Sequence, residues 1–265
     1  MKSRKLCDQI VISTKFTTDY KGYDVGKGKS ANYCGNHKRS LHVSVRDSLR
    51  KLQTDWIDIL YVHWWDYMSS IEEVMDSLHI LVQQGKVLYL GVSDTPAWVV
   101  PAANYYATSH GKTPFSAFRY GLAPWDVMGG GRFQSKKAME ERKKNGEGLR
   151  TFVGGPEQTD AEIKISEALA KVAEEHGTES VTAIAIAYVR SKAKNVFPLV
   201  GGRKIEHLKQ NIEALSIKLT PEQIEYLESI IPFDVGFPTN FIGDDPAVTK
   251  KASLLTAMSA QISFD

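Results

Sequence analysis

Three apolar runs alternate with amphipathic segments in the first 110 residues, and this order constrains the fold more than any other feature. The runs are Ile10–Lys15, Ile57–Val62 and Val87–Val92. Parallel strands buried by helices read as near-continuous apolar runs of this kind. A repeated strand–helix order predicts a parallel sheet with helical crossovers, and so an α/β fold.

The segments between the runs have helical periodicity. Leu41 to Leu52 carries apolar residues on one face, with Ser40 as the expected N-cap. A wide apolar stripe runs from Ile71 to Val82 and ends at Gly85, and Pro96 is expected in the first turn of the third helix. Later helices are predicted at Ile163–His176, at Val181–Ser191, over 205–215, and after a capping box that starts at Thr220. With no repeat or linker, residues 1–265 are expected to form a single domain.

The number of strands is too small for a closed barrel. Only about a dozen residues, 113–124, separate the third helix from a turn-rich stretch. Because a parallel crossover alone takes at least ten to twelve residues, Phe115–Ala123 can supply one strand only. With a last strand at Val196–Val200, about five strands are expected where a (β/α)8 TIM barrel has eight.

Two polar residues end successive strands. Lys15 closes the first apolar run, and His63 follows Val62 at the end of the second. In (β/α)8 barrels the chemistry is carried at the carboxyl ends of the strands. We therefore expect the amine and the imidazole to meet in one polar site.

Composition excludes several classes of function. The net charge of +2 argues against a dedicated nucleic-acid surface. Two cysteines make no disulfide framework and indicate a reducing compartment, and the ligand-like spacing of Cys34 and His37 has no second pair, so no metal site is expected. No run approaches the roughly 18 apolar residues of a membrane helix, and the N-terminus lacks the apolar region of a signal peptide. The expected location is cytoplasmic, without a membrane partner.

Four motifs, in order along the chain, resemble those of the aldo-keto reductase family. They are Asp47–His63, Gly91–Asp94, Ala123–Asp126 and Gly201–Asn211. The similarity is greatest to the fungal aryl-alcohol dehydrogenases. It implies a (β/α)8 barrel that binds NADP(H) and transfers hydride between the nicotinamide and an aryl aldehyde or alcohol.

The resemblance also implies a set of four catalytic side chains, of which Lys15 and His63 match the last two. The first two are an aspartate and a tyrosine, the tyrosine acting as general acid with its pKa lowered by the lysine. The histidine holds the carbonyl oxygen as negative charge develops there. The aspartate and tyrosine belong ahead of Met1, and most of strand six, helix six and the approach to strand seven are also expected to be missing. Activity is expected to be impaired or lost. The alternative is a non-catalytic remnant that at most binds nucleotide or a protein partner.

Ser93 and Asp94 match the position where the family contacts the nicotinamide carboxamide. Asparagine is common in the family where Asp94 stands. A helix N-cap is the alternative interpretation of this pair, and both roles are compatible.

The stretch Gly201–Asn211 carries the strongest cofactor signal. A glycine turn at Gly201 leads into a helix N-terminus, which favours an anion. Arg203 and Lys204 can neutralise a ribose 2′-phosphate, which favours NADP over NAD. By resemblance, Gln210 and Asn211 match positions that contact the adenine, and His207 is a cofactor-binding position where the family more commonly has glutamine. The alternative is a basic cluster on the surface.

Aromatic residues follow His63 directly. Trp64, Trp65 and Tyr67 are consistent with an aromatic wall for an aryl substrate. Ordinary packing under a loop explains them equally well.

Overall fold

The computed structural model describes residues 7–21, 30–116, 122–146, 148–149, 155, 157–202, 204–234, 236 and 249. They group into two compact units, Met1–Leu122 and Ala123–Asp265. The first unit is α/β, and the described elements of the second are helical. No helix within these ranges is long and apolar enough to cross a membrane.

The first unit contains a parallel sheet of three strands in chain order. The strands are β1 (Ser13–Phe16), β2 (Ile57–Val62) and β3 (Val87–Val92). Each is followed by a helix: α1 (Lys38–Leu52), α2 (Ile71–Gln83) and α3 (Val99–Ser109). Phe115 adds an isolated parallel bridge to Leu90, and Ser116 N–H donates to the Leu90 carbonyl at 2.8 Å. The predicted strand–helix order is therefore confirmed over these elements, while residues 117–121 of the fourth predicted strand lie outside the described part.

Helices cover one face of this sheet. Phe16, Leu60 and Leu90 point to that face, where they are buried in one core with residues of α1 and α2 such as Leu41 and Leu78. Successive strand residues point to opposite faces. Lys15 and Tyr89 lie on the other face, and both are exposed. The alternation leaves this second face open within the unit, and it is the face that carries Lys15.

The first strand begins later than the sequence predicts. Asp58 Oδ2 accepts the Ile12 N–H at 2.8 Å, so a side chain takes a donor that a longer strand would use in its ladder. The side chains of Ile10 and Val11 are 40% and 70% exposed. An apolar run therefore does not become strand along its whole length when part of it finds no partner strand.

The first helix has a different cap from the predicted one. His37, not Ser40, is the N-cap of α1: its Nδ1 accepts the Ser40 N–H at 3.2 Å. The Ser40 hydroxyl donates instead to the Tyr33 carbonyl at 3.0 Å, inside the protein. Pro96 also differs from the prediction: α3 begins at Val99, so Pro96 precedes the helix and does not lie in its first turn. The Pro96 carbonyl accepts the Val99 N–H at 2.9 Å, in the turn that leads into the helix.

The second unit consists of five helices in its described part. They are α4 (Lys136–Lys144), α5 (Asp160–Glu175), α6 (Val181–Ser191), α7 (Ile205–Glu213) and α8 (Pro221–Ser229). Capping boxes start α5 at Thr159 and α8 at Thr220. The helices α5 and α6 bury Leu169, Val172 and Ile184 between them. The α6 and α8 predictions are confirmed, and α5 begins three residues ahead of Ile163 because its capping box lies earlier.

The last predicted strand, Val196–Val200, does not form. Val196 makes a single β-bridge, and residues 197–200 are irregular. The side chains of Phe197 and Leu199 are 65% and 51% exposed. The bridge at Val196 and the hydrogen bond from the Leu199 N–H to the Pro124 carbonyl, at 2.9 Å, do not extend into a strand ladder.

Candidate active site

Lys15 and His63 lie at the carboxyl ends of the neighbouring parallel strands β1 and β2. Lys15 pairs in register with Tyr61, and the His63 N–H donates to the Phe16 carbonyl at 3.2 Å. Both side chains line one open cleft of about 410 Å³ beside β1 and α1. The adjacency of two parallel strand ends thus brings an amine and an imidazole into a single polar site.

The imidazole of His63 is poised to be neutral. Burial lowers its pKa first, the nearby Lys15 ammonium lowers it further, and the Asp94 carboxylate opposes both. The net result is a pKa below its usual value near 6.5. A neutral imidazole has one nitrogen that donates and one that accepts.

Thr18 joins His63 to the following tryptophan. Its Oγ1 lies 2.9 Å from His63 Nδ1 and 3.0 Å from Trp64 Nε1. Thr18 lines the same cleft as His63. The Thr18 hydroxyl therefore contacts the His63 ring at Nδ1 and leaves Nε2 free of this contact.

A buried asparagine holds the loops that follow β1 and β2. Asn36 is fully buried, and its Nδ2 donates to Thr17 Oγ1 at 2.9 Å and to the Trp64 carbonyl at 3.1 Å. Its Oδ1 accepts the Asp66 N–H at 2.7 Å, and Asp66 Oδ2 in turn accepts the Asn36 N–H at 2.6 Å. These reciprocal hydrogen bonds fix the segments on either side of His63.

A second polar cluster, which the sequence pattern does not predict, lies in the same cleft. The Tyr20 hydroxyl donates a hydrogen bond to Asp47 Oδ2 at 2.7 Å, and Lys21 Nζ lies 2.8 Å from the same oxygen. Arg46 adds two contacts of 3.2 Å to Oδ1. The Asp47 side chain is only 2% exposed. Burial by itself would raise its pKa, but the hydrogen bonds from Lys21, Tyr20 and Arg46 outweigh burial and hold the pKa well below its usual range.

A partial signal for this cluster exists in the sequence. Ser44, Asp47, Ser48 and Lys51 fall beside the apolar stripe of α1 at helical spacing, and all four line the cleft. The partner Tyr20 comes from a loop 27 residues earlier. No spacing rule connects such a loop to a helix, so the pair could not be found from the pattern.

Ser93 and Asp94 follow β3 directly, beside the same strand ends. The Ser93 N–H donates to the Val62 carbonyl at 2.9 Å, and the Asp94 carbonyl accepts the Trp65 N–H at 3.4 Å. Asp94 has a φ of +43°, in the left-handed region. Neither residue caps α3, whose N-cap is Trp98, so the alternative interpretation as a helix cap is wrong. Asp94 is close enough to His63 for its charge to act on the ring.

The three aromatic residues after His63 have different environments. Trp65 is 7% exposed and packs in the core, whereas Tyr67 is 72% exposed. Trp64 is half-buried and uses its indole N–H on Thr18. They do not form one wall: Trp65 packs in the core, Tyr67 is exposed, and Trp64 hydrogen-bonds to Thr18, a residue of the cleft.

The cofactor motif lies in the second unit, at the N-terminus of α7. Lys204 is the N-cap residue, is exposed, and makes no side-chain capping bond. Arg203 lies outside the described residues. Gly201 and Gln210 are exposed, whereas Asn211 is half-buried. The basic side chain of Lys204 is thus available at a helix N-terminus, where an anion is favoured.

Gly202 allows the turn to approach the helix closely. A Cβ at this position would lie 2.6 Å from the Cβ of His207. His207 is half-buried against the turn. Any larger residue at 202 would push the turn away from the first turns of α7, so the glycine is required by space.

Comparison with known proteins agrees with these features. The model of the aldo/keto reductase family matches residues 1–125 and 119–232, two stretches that overlap at 119–125. The chain is 85% identical over 287 residues to probable aryl-alcohol dehydrogenase AAD4 of Saccharomyces cerevisiae, covering all of this chain and 87% of the relative. It is 52% identical over 286 residues to aldo-keto reductase ausK of Aspergillus calidoustus, covering all of this chain and 72% of that protein.

A third relative has a named cofactor. The chain is 47% identical over 275 residues to aryl-alcohol dehydrogenase [NADP(+)] of Phanerodontia chrysosporium, with 92% of this chain and 70% of the relative covered. The family match spans well over half of the 265 residues. The chain belongs to the aldo/keto reductase family.

Proposed function

We propose that this chain is an aldo-keto reductase of the aryl-alcohol dehydrogenase type, with impaired activity. The reaction is hydride transfer between NADP(H) and an aryl aldehyde or alcohol. The observation that carries the proposal is the placement of Lys15 and His63 in one cleft at the ends of adjacent parallel strands. Residues 1–265 would form one family-like domain.

The residues at α7 suit a dinucleotide phosphate. Lys204 is exposed at the helix N-terminus and Gly202 permits a tight turn there. Lys204 and Arg203, which precedes it in the sequence, would hold the 2′-phosphate. Gln210 and Asn211 would contact the adenine, and His207 would belong to the same cofactor site. Ser93 and Asp94 would hold the carboxamide. When bound, NADP(H) supplies or accepts the hydride.

His63 would polarise the substrate carbonyl, and Lys15 would supply positive charge beside it. A neutral histidine can donate one hydrogen bond to an oxygen on which negative charge develops. The sequence matches the family's lysine and histidine but has no residue matched to its aspartate and tyrosine. Loss of a general acid typically costs about 10²–10⁴ in rate. We therefore propose slow turnover for a chain made of these 265 residues.

A non-catalytic remnant that at most binds nucleotide or a protein partner is the second candidate. Titration with NADPH by fluorescence quenching, followed by benzaldehyde reduction under single-turnover conditions, separates the two. The proposal expects NADPH binding and a slow reaction that Lys15→Met abolishes. Binding without any reaction would favour the remnant. Failure to bind either NADPH or NADH would refute the first candidate and would leave a remnant without a nucleotide site.

A further inference from the structure

The hydroxyl of Thr18 lies between two nitrogen atoms with different hydrogen-bonding capacities. Trp64 Nε1, at 3.0 Å, can only donate, so the Thr18 oxygen must accept there. A hydroxyl has one proton and two acceptor lone pairs. One lone pair and the proton of Thr18 therefore remain for His63 Nδ1, at 2.9 Å.

Two arrangements satisfy the contact with His63. If the Thr18 proton points to Nδ1, the proton of the neutral ring is on Nε2. If Nδ1 carries the proton, the Thr18 hydroxyl has to donate elsewhere, and no other acceptor in the described part of the chain hydrogen-bonds to it. The first arrangement uses the Thr18 proton within the protein and leaves the Nε2–H of His63 for a ligand, whereas the second leaves the Thr18 proton without a partner in the described part of the chain.

Buried hydrogen bonds hold these three groups in place. Thr17, next to Thr18, is fully buried with a φ of +104°, a conformation that a threonine adopts only under constraint. Asn36 binds both the Thr17 hydroxyl and the Trp64 carbonyl. The same buried side chain thus ties the segment that carries Thr18 to the segment that carries His63 and Trp64.

We propose that Thr18, with its hydroxyl oriented by Trp64, holds neutral His63 as the Nε2–H tautomer, so that the ring offers a donor to the oxygen of a carbonyl compound in the cleft. Thr18 and Trp64 are positioning residues in this arrangement. The benefit to carbonyl binding rests on the proposed function, whereas the tautomer is a property of the chain alone. The two parts can therefore fail separately.

Ring ¹⁵N NMR of the histidine-labelled full chain near neutral pH measures the tautomer. The His63 signals are identified by their loss in His63→Asn. The wild type and Thr18→Ser should show an unprotonated Nδ1 and a protonated Nε2, because serine keeps the hydroxyl. Thr18→Val and Trp64→Phe should give a mixture of tautomers. Trp98→Phe, at a position that is 63% exposed and does not line the cleft, is the matched control and should resemble the wild type.

A protonated Nδ1 in the wild type would overturn the inference. So would identical tautomer populations in the wild type and in both Thr18→Val and Trp64→Phe. Should Thr18→Val fail to fold, Trp64→Phe and Thr18→Ser still decide the question. Adding NADPH and then benzaldehyde should shift the Nε2 resonance of the wild type and of Thr18→Ser. If the tautomer is as expected but benzaldehyde shifts nothing, the proposed function fails and the positioning role stands.

Discussion

The hydroxyl of Tyr20 donates a hydrogen bond to the buried carboxylate of Asp47 at 2.7 Å, in the cleft that Lys15 and His63 line. Burial raises the pKa of the Tyr20 phenol, and the hydrogen bond to Asp47 raises it further. The family resemblance implies the opposite for a catalytic tyrosine, whose pKa is lowered by a lysine. Tyr20 therefore stabilises the wall of the cleft and is not poised to act as a general acid.

Replacing Tyr20 by phenylalanine should affect stability and not chemistry. The change removes one of the donors that satisfy Asp47, which is buried, so the free energy of unfolding should fall by about 1–3 kcal/mol. Any benzaldehyde reduction should keep its rate. Urea denaturation and single-turnover kinetics measure the two effects.

Tyr105 offers a matched control for this substitution. Its side chain is 76% exposed, so Tyr105→Phe should leave both quantities unchanged. Turnover on the order of 1 s⁻¹, a typical enzyme rate, that Tyr20→Phe abolished would show that the phenol is the acid after all.

Asp47 should make the stability of the first unit depend on acid pH. Its pKa in the folded protein is well below the value of about 3.9 in an unfolded chain, so the unfolded state binds more protons as the pH falls. Its contribution is therefore complete above about pH 5 and is lost as the pH decreases towards the folded pKa. Thermal melts between about pH 6 and pH 3 should show a smaller pH dependence for Asp47→Asn than for the wild type. Asp55→Asn, at an exposed position, should keep the wild-type dependence.

The elements predictable from sequence are those whose local pattern and tertiary partners agree. Ile57–Val62 is central in the sheet and Val181–Ser191 is buried on most sides, and both have the predicted bounds. Val196–Val200 has the same apolar character but no ladder, so it is not a strand. The prediction of Ser40 as the N-cap of α1 is wrong because the ring of His37 accepts the backbone N–H that a serine or threonine side chain usually accepts.

The candidate site was predictable to the extent that topology determines it. Neighbouring parallel strands end at the same edge, so the proximity of Lys15 and His63 follows from strand order alone. The hydrogen bonds of Thr18 and Tyr20 depend on loop conformation, which no periodicity encodes. They connect residues 45 and 27 positions apart, respectively.

Cofactor preference should depend on the basic pair that precedes α7. NADPH should bind more tightly than NADH, because Arg203 and Lys204 can pair with the 2′-phosphate. Each charge-assisted hydrogen bond contributes about 1.5–3 kcal/mol, so Arg203→Ala and Lys204→Ala should each weaken NADPH binding about tenfold or more. The same two substitutions should change the affinity for NADH little, because NADH has no 2′-phosphate.

Fluorescence titration with both nucleotides tests this preference. Lys209→Ala, an exposed lysine further along the same helix, is the matched control and should not change the ratio of affinities. Equal affinities of the wild type for NADPH and NADH would contradict the assignment of the pair.

The edge strand should be the weakest part of the first sheet. β1 lies at the edge of the three strands, whereas β2 pairs on both sides. Amides of Ser13–Phe16 should therefore exchange hydrogen faster than those of Ile57–Val62, since fewer contacts have to break for the edge to open. Exposed edges with apolar neighbours also promote association between chains. Val11, 70% exposed and just ahead of β1, is such a neighbour.

A charge at this edge should reduce association without changing the fold. Val11→Lys places a lysine where natural sheets use one to block edge pairing. Light scattering over a range of protein concentrations should show less self-association than in the wild type, at an unchanged melting temperature. Met68→Lys, at a loop position 89% exposed, should associate as the wild type does. A wild-type chain that stays monomeric, with β1 amides protected as strongly as those of β2, would show that the edge is covered and the barrel closed.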